Sequence, residues 1–337
     1  MHIGLIGAGN ISDTHLRAAQ SLPGVVVSAV YSRTIENARR LAEPAGATPY
    51  DTLESFLAHT PLDIVAIGSP SGMHAEQAIA AAERGLHVLV EKPLDVSTAR
   101  VDAVIAAAER GNVRVGVFFQ DRLKPDIARV KRMIDYGRLG VPVMASGRLK
   151  WHRSIEYYAA SQWRGTHALD GGGALMNQGI HTVDLLQWLF GPIASVSAAI
   201  ATRVHSIEVE DTAVAVLSFR SGAIGVLEAA TSVFPGYARR LELTGSEGTL
   251  IVEQDALVAA DLRSGREAAV PPSAGASAAT AIVADPTPHA RVIADFIEAI
   301  RTGRAPACDA REGRKSIEIV EAIYRSARTA CAVSLGE

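Results

Sequence analysis

The chain has 337 residues, of which 48% are hydrophobic and 20% charged, with a formal net charge of −3. This length exceeds what a single core usually fills, so two domains are expected. The small negative charge supplies no basic field for nucleic acid or an anionic membrane surface, and no apolar run approaches the roughly 18 residues of a membrane span. Cys308 and Cys331 set up neither a disulfide framework nor metal-ligand spacing, so no metal is expected. The chain enters a strand at His2–Ile6 with no basic segment leading into an apolar one, so the cytoplasm is the expected location.

Over residues 1–120 strand-like and helical segments alternate. Ile3–Ile6, Val25–Tyr31, Ile64–Ile67, Leu86–Val90 and Val113–Phe118 read as strands, with helices over Ile11–Ser21, Thr34–Ala42, Ala75–Arg84 and Thr98–Arg110 between them. That alternation predicts an α/β domain with a doubly wound parallel sheet. Its strands are apolar throughout, as a sheet covered on both faces requires.

After Gln120 the pattern changes. A helix is expected over Pro125–Tyr136, then a long irregular stretch over 151–172, then one helix over Ala174–Phe190 that stops at Gly191-Pro192. Strand-like runs follow at Ser195–Arg203, Thr212–Phe219, Ala223–Ala230, Arg240–Leu243, Thr249–Val252 and Leu257–Ala260, with hairpin turns at Ser221-Gly222 and Ser246–Gly248. These predict an α+β domain over 121–337 with a large, mainly antiparallel sheet. Residues 264–288, rich in Ala, Pro and Ser, read as a long mobile loop before two closing helices.

Gly7-Ala-Gly9-Asn10-Ile11-Ser12 follows the first strand and opens a helix. The first glycine permits a tight turn. The second lets backbone amides approach a pyrophosphate at the positive helix end. Ser12 stands where the third glycine of the fingerprint falls. No acidic residue ends the second strand. Ser32 and Arg33 lie there instead, and they can accept a 2′-phosphate, which tilts the expected cofactor from NAD to NADP. Ser69, Pro70 and His74 follow the third apolar strand and should border the cofactor on the same edge.

Glu91-Lys92-Pro93 ends the fourth. Ligands bind along the carboxyl edge of such a sheet, and a lysine there, close to a nicotinamide, points to hydride chemistry. Farther on, Asn177, His181 and Asp184 fall at i, i+4 and i+7, a polar stripe on one face of a helix. A histidine with an unperturbed pKa near 6.5 suits proton abstraction at neutral pH. Gly171–Gly173 either lets something approach this helix start closely or enables a bend.

Gly7-Ala-Gly9, Glu91-Lys92-Pro93, Trp163-Arg164-Gly165 and the segment Gly171–Asp184 together resemble the glucose–fructose oxidoreductase, inositol dehydrogenase and rhizopine-catabolism (Gfo/Idh/MocA) family over nearly the whole chain. The resemblance implies that Lys92 and His181 flank the reacting hydroxyl and that Asp184 holds substrate. It implies further that Trp163 and Arg164 touch the cofactor and that Gln120 lies beside the nicotinamide. Cyclitol dehydrogenases of the family carry Asp where this chain has Asn177, so Lys92 and His181 remain as the working pair. The segment around Tyr157-Tyr158 and Trp163 looks most like members acting on nucleotide-linked or acidic sugars, such as UDP-N-acetylglucosaminuronate 3-dehydrogenases. Arg122, Lys150, Tyr157, Tyr158 and His289 are further candidate substrate contacts.

The expected function is NAD(P)-dependent hydride transfer at a sugar or polyol. A dinucleotide-binding regulator without turnover and an NAD-dependent glycosidase are the rival readings. An open face on the second sheet predicts a homodimer or homotetramer.

Overall fold

The computed structural model describes residues 1–269 and 285–336. The chain divides into two compact units. One comprises Met1–Gln120 and Ile282–Arg314, the other Asp121–Ala281 and Lys315–Glu337. The sequence predicts that all of 121–337 belongs to the second domain. Instead, residues 285–314 fold with the first, where Phe296 and His289 find their partners Gly116 and Glu91.

The first unit is built on β1 (His2–Ile6), β2 (Val26–Tyr31), β3 (Thr48–Tyr50), β4 (Ile64–Ile67), β5 (His87–Val90) and β6 (Val115–Val117). All pairings are parallel and the order is β3-β2-β1-β4-β5-β6. The strand order reverses between β1 and β4, which opens a ligand crevice at their carboxyl ends. Helices α1 (Asn10–Gln20), α2 (Ile35–Ala42), α3 (Leu53–Leu57), α4 (His74–Ala82) and α5 (Thr98–Gly111) connect the strands. Ser97 caps α5 by accepting from the Arg100 amide at 3.4 Å, and Asn112 ends it in the left-handed region at φ 49°. Phe296, on a late helix over Thr287–Thr302, packs so closely on β6 that a Cβ on Gly116 would lie 2.8 Å from its ring.

The second unit opens with α6 (Pro125–Asp135), β7 (Pro142–Lys150) and α7 (Ile155–Ala159). A π-helical turn over Ala174–Gly179 leads into α8 (Ile180–Phe190). Strands β8 (Ile193–Ala201), β9 (Thr212–Phe219), β10 (Ile224–Ala230), β11 (Arg240–Gly245), β12 (Gly248–Glu253), β13 (Ala256–Leu262), β14 (Gly265–Arg266) and β15 (Val333–Ser334) complete it. The sheet order is β14-β13-β12-β11-β7-β10-β9-β8-β15, antiparallel except for the β7–β10 pair.

Strand β7, near the sheet's centre, was not legible in the sequence. Its covered face carries Ala145, Gly147 and Leu149, and the first two are small because α8 packs close: a Cβ on Gly147 would meet Leu186 at 2.6 Å. The remaining two helices are α9, the Thr287–Thr302 helix, and α10 (Ala310–Thr329). Most of the loop expected over 264–288 lies outside the described residues; Gly265–Arg266 forms a short strand instead. Among the described residues, no helix is long and apolar enough to cross a membrane.

Candidate active site

In the first unit the glycine turn has the geometry of an anion cradle. Gly7 sits at φ +101°, and a Cβ there would lie 2.8 Å from the Gly68 carbonyl, so no other residue fits without displacing backbone. Gly9 differs: a Cβ there would meet nothing within 4 Å. It is the N-cap of α1 and carries no side-chain cap, so Asn10 and Ile11 begin a helix whose first amides no capping side chain satisfies. Ser12, in place of the third glycine, is fully buried, with its hydroxyl 3.1 Å from where Cβ atoms on Gly7 and Gly68 would lie. It does the helix-to-strand packing that the third glycine serves elsewhere. These features fit a dinucleotide pyrophosphate.

Ser32 and Arg33 follow β2, with Arg33 exposed. A residue the sequence reading missed, Arg40, reaches back from α2 and donates to the Ala8 carbonyl at 2.7 Å. A guanidinium is thereby held on the glycine turn itself.

Ser69 and Pro70 follow β4, and Ser69 donates its hydroxyl to Gln77 at 2.6 Å. His74, the first residue of α4, is buried. Its Nε2 lies 2.8 Å from the Ser69 carbonyl and its Nδ1 2.8 Å from that of Pro93. It therefore ties the turn after β4 to the turn after β5. Burial lowers its pKa below the ordinary histidine value, against those two carbonyls, which raise it. Lys92 is partly exposed on the second of these turns, between buried Glu91 and buried Pro93. Gln120 is partly exposed beyond β6.

In the second unit, His181 stands at the start of α8 with its side chain 13% exposed. Its Nδ1 is 3.6 Å from Oδ2 of Asp121, a carboxylate the sequence reading passed over. Asp121 is buried and accepts from Arg239 Nη1 and Lys124 Nζ, both at 2.7 Å. Burial pushes its carboxyl up, but Arg239, His181 and Lys124 hold it well below the usual carboxylate range.

Asn177 lies in the π turn, not in an α-helix, so the simple stripe of Asn177, His181 and Asp184 is broken there. Such turns recur at functional sites. Asn177 Nδ2 donates to Asp170 at 2.5 Å, and Gln178 joins Asn177 Oδ1 at 3.0 Å to the Tyr157 hydroxyl at 3.1 Å.

Asp184 and Arg122 depart from expectation. Both side chains are 1% exposed and bonded to each other, so neither presents an open charge to substrate. Lys150 pairs with Glu228. His289 is buried against Glu91 in the first unit.

Two of the three glycines serve packing, and Gly171 takes a left-handed bend at φ 76°. Cβ atoms on Gly172 and Gly173 would lie 2.0 Å from the Tyr324 hydroxyl and 1.9 Å from the Glu210 carbonyl. The Glu210 carboxylate accepts from the Gly173 and Leu175 amides at 3.0 and 2.8 Å, capping the start of the π turn. Nearby, a cavity of about 570 Å³ is lined by Tyr158, Arg164, Thr166, His205 and Glu208 among others. Arg164 lies 4.5 Å over the Tyr157 ring and 5.2 Å from that of Trp163. The Tyr158 hydroxyl is 2.9 Å from Thr231 Oγ1, and burial pushes its pKa up to about 12.

A doubly wound sheet with an open glycine turn and a lysine at its carboxyl edge, followed by a large mixed sheet, defines a dinucleotide-binding oxidoreductase. Residues 1–119 match the oxidoreductase family model with NAD-binding Rossmann fold, and residues 127–251 match the GFO/IDH/MocA C-terminal domain. The chain belongs to the Gfo/Idh/MocA oxidoreductase family. It is 29% identical to the D-apiose dehydrogenase of Paraburkholderia graminis, over 98% of this chain and 88% of that protein. It is 26% identical to the myo-inositol 2-dehydrogenase of Thermotoga maritima, over 75% of each. The crystal structure of the WlbA dehydrogenase from Bordetella pertussis, in complex with NADH and UDP-GlcNAcA, superposes with a TM-score of 0.90 at 31% identity. That match covers 100% of this chain and 98% of the other.

Proposed function

We propose that this protein transfers hydride between a nicotinamide dinucleotide and a secondary hydroxyl or carbonyl of a sugar, sugar derivative or cyclitol. The observation that carries the reading is Lys92, set on the turn after β5 at the carboxyl edge of a sheet whose glycine turn is open and uncapped. A nicotinamide held by that unit supplies the hydride acceptor or donor. His181 removes the hydroxyl proton as the carbonyl forms. Asp121, 3.6 Å behind its Nδ1, orients the imidazole and offsets the charge it gains. Lys92, as an ammonium, stabilises the developing alkoxide, and in reverse the same residues return the proton.

Two guanidinium groups near the turn, Arg33 and Arg40, favour NADP over NAD. Trp163 and Arg164 are assigned to the cofactor, Tyr157 and Tyr158 to the substrate, and Asn177 to fixing Gln178 and Asp170 beside them.

Two substrate branches follow from the relatives. Identity of 31% across the whole chain to a structure holding UDP-GlcNAcA supports a nucleotide-linked acidic sugar. The apiose and inositol dehydrogenases support an unlinked sugar or cyclitol. We also propose that the second sheet pairs with another copy, because Met144, Val214, Val216 and Ile224 leave an apolar patch on its open face.

Ligand-dependent melting with NAD, NADH, NADP and NADPH, followed by a sugar screen with the best binder, tests the reading. Stabilisation grows as RT ln(1 + [L]/Kd), so the preferred cofactor gives the largest shift. No shift with any of the four, in protein shown to carry no bound nucleotide, would overturn it.

A further inference from the structure

Behind the turn that carries Lys92, three buried side chains of the first unit converge. His15 comes from α1, Glu91 from the end of β5 and His289 from α9. His15 Nε2 lies 2.9 Å from Glu91 Oε1, and His289 Nε2 lies 3.4 Å from the same oxygen. The other oxygen, Oε2, accepts the backbone N–H of Lys92 at 3.2 Å. Phe118 stacks on the His15 ring at 4.3 Å and lies 5.5 Å from that of His289, closing the cluster with an apolar wall.

Two imidazoles that meet one carboxylate oxygen must both donate from Nε2. Each Nδ1 is then a bare lone pair, and neither has a hydrogen-bond partner. The three ligand atoms lie within 4.8 Å of one another, a spacing that a divalent ion could use. A metal-bound histidine, however, donates its other N–H to an acceptor, and neither Nδ1 here has one. The arrangement is that of a hydrogen-bonded carboxylate.

The charge state follows. Burial favours the neutral acid, but the donors His15 and His289 hold the Glu91 carboxyl well below its usual range. Burial also keeps His15 below the ordinary histidine value. The other titratable groups acting on the cluster are His74 and, through it, Asp95, whose carboxylate is already paired with Arg100 at 2.6 Å. The Glu91 carboxyl thus stays ionised in a buried site, one residue from Lys92.

We propose that His15, Glu91 and His289 form a positioning triad that fixes the backbone of the Lys92 turn and holds the Lys92 amine as an ammonium ion. The proposal rests on the assignment of Lys92 above and adds what prepares it. A lysine close to a bound cofactor loses water, which favours its neutral form. A buried carboxylate nearby opposes that loss, and low local screening makes its field effective.

The test needs no turnover. Acetylation of Lys92 by acetic anhydride in the full-length, cofactor-free chain, followed by peptide mass spectrometry across a pH series, gives the apparent pKa of its amine. Glu91→Gln is expected to lower that value by about one unit. His289→Phe, which removes one donor to Glu91 but keeps a ring, should shift it as well, through the altered position and exposure of the carboxylate, whereas His289→Gln, which keeps a donor, should stay near wild type. With substrate present, kcat should fall about tenfold in His289→Phe and recover in His289→Gln, with the dinucleotide Kd little changed. If Glu91→Gln does not fold, the two His289 variants decide the question alone. Identical labelling curves for wild type, Glu91→Gln and both His289 variants would reduce the triad to packing. Because labelling is independent of catalysis, a chain without dehydrogenase activity can still support or overturn the triad.

Discussion

Arg122 and Asp184 form a two-pronged ion pair, Nε to Oδ2 at 2.9 Å and Nη2 to Oδ1 at 2.6 Å, with the Ser316 hydroxyl donating to the same carboxylate at 3.2 Å. The guanidinium also lies 5.1 Å over the Trp188 ring. The pair anchors α8, which carries His181, to the turn over Gln120–Leu123. Removing one partner leaves a buried charge unpaired, so Asp184→Ala should cost about 3–5 kcal/mol in urea unfolding. A loss below about 1 kcal/mol would assign the pair no structural role.

Two glycines should respond in opposite ways. Gly9→Val meets open space, so the fold should persist while dinucleotide no longer raises the melting temperature. Gly173→Ala drives a methyl into the Glu210 carbonyl and should cost about 1–3 kcal/mol. Cofactor binding unchanged in Gly9→Val would contradict the anion-cradle assignment.

Cofactor choice is assigned to Arg33 and Arg40. Replacing both with alanine should weaken NADP binding about tenfold or more while leaving NAD nearly unaffected, since only the 2′-phosphate is lost as a partner. Calorimetric titration with each dinucleotide gives the ratio. An equal loss for both would place the arginines elsewhere on the ligand.

Stability should fall on mild acidification. Burial holds His15 and His74 below the ordinary value of 6.5 in the fold. Below that value the unfolded chain binds more protons than the folded one, so stability rises with pH through the window and is lost as acid is added. Glu91 and Asp121, held well below the usual carboxylate range, add a second loss at lower pH, as they protonate in the fold. Urea midpoints between about pH 5 and about pH 8 should rise and then level off. A midpoint that increases towards acid would contradict these assignments.

Five strands of the first sheet were legible because their signals are local: apolar runs of strand length, glycine after β1 and proline after Lys92; the edge strand β3, three residues around Pro49 with no buried side chain, carries no such run. The order β3-β2-β1-β4-β5-β6 adds what no window of sequence holds, the crevice between β1 and β4. Strand β7 escaped because Ala145 and Gly147 are small where α8 presses on them. The Asn177–Asp184 segment was found, but a π turn shifts its phase, and the distant charges Arg122, Asp121 and Arg239 decide which of its side chains stay open. Partners separated by more than a hundred residues, such as Arg239 and Asp121, leave no spacing to read. His289 read as a substrate contact for the same reason: only the fold brings it to Glu91.

The most direct measurement is nicotinamide absorbance during oxidation of sugars, including a nucleotide-linked uronic acid, by wild type and Lys92→Ala, with dinucleotide affinity measured alongside. The account predicts that Lys92→Ala loses about a thousandfold in kcat/KM while the dinucleotide Kd stays within about threefold of wild type. Turnover by Lys92→Ala close to wild type would contradict it.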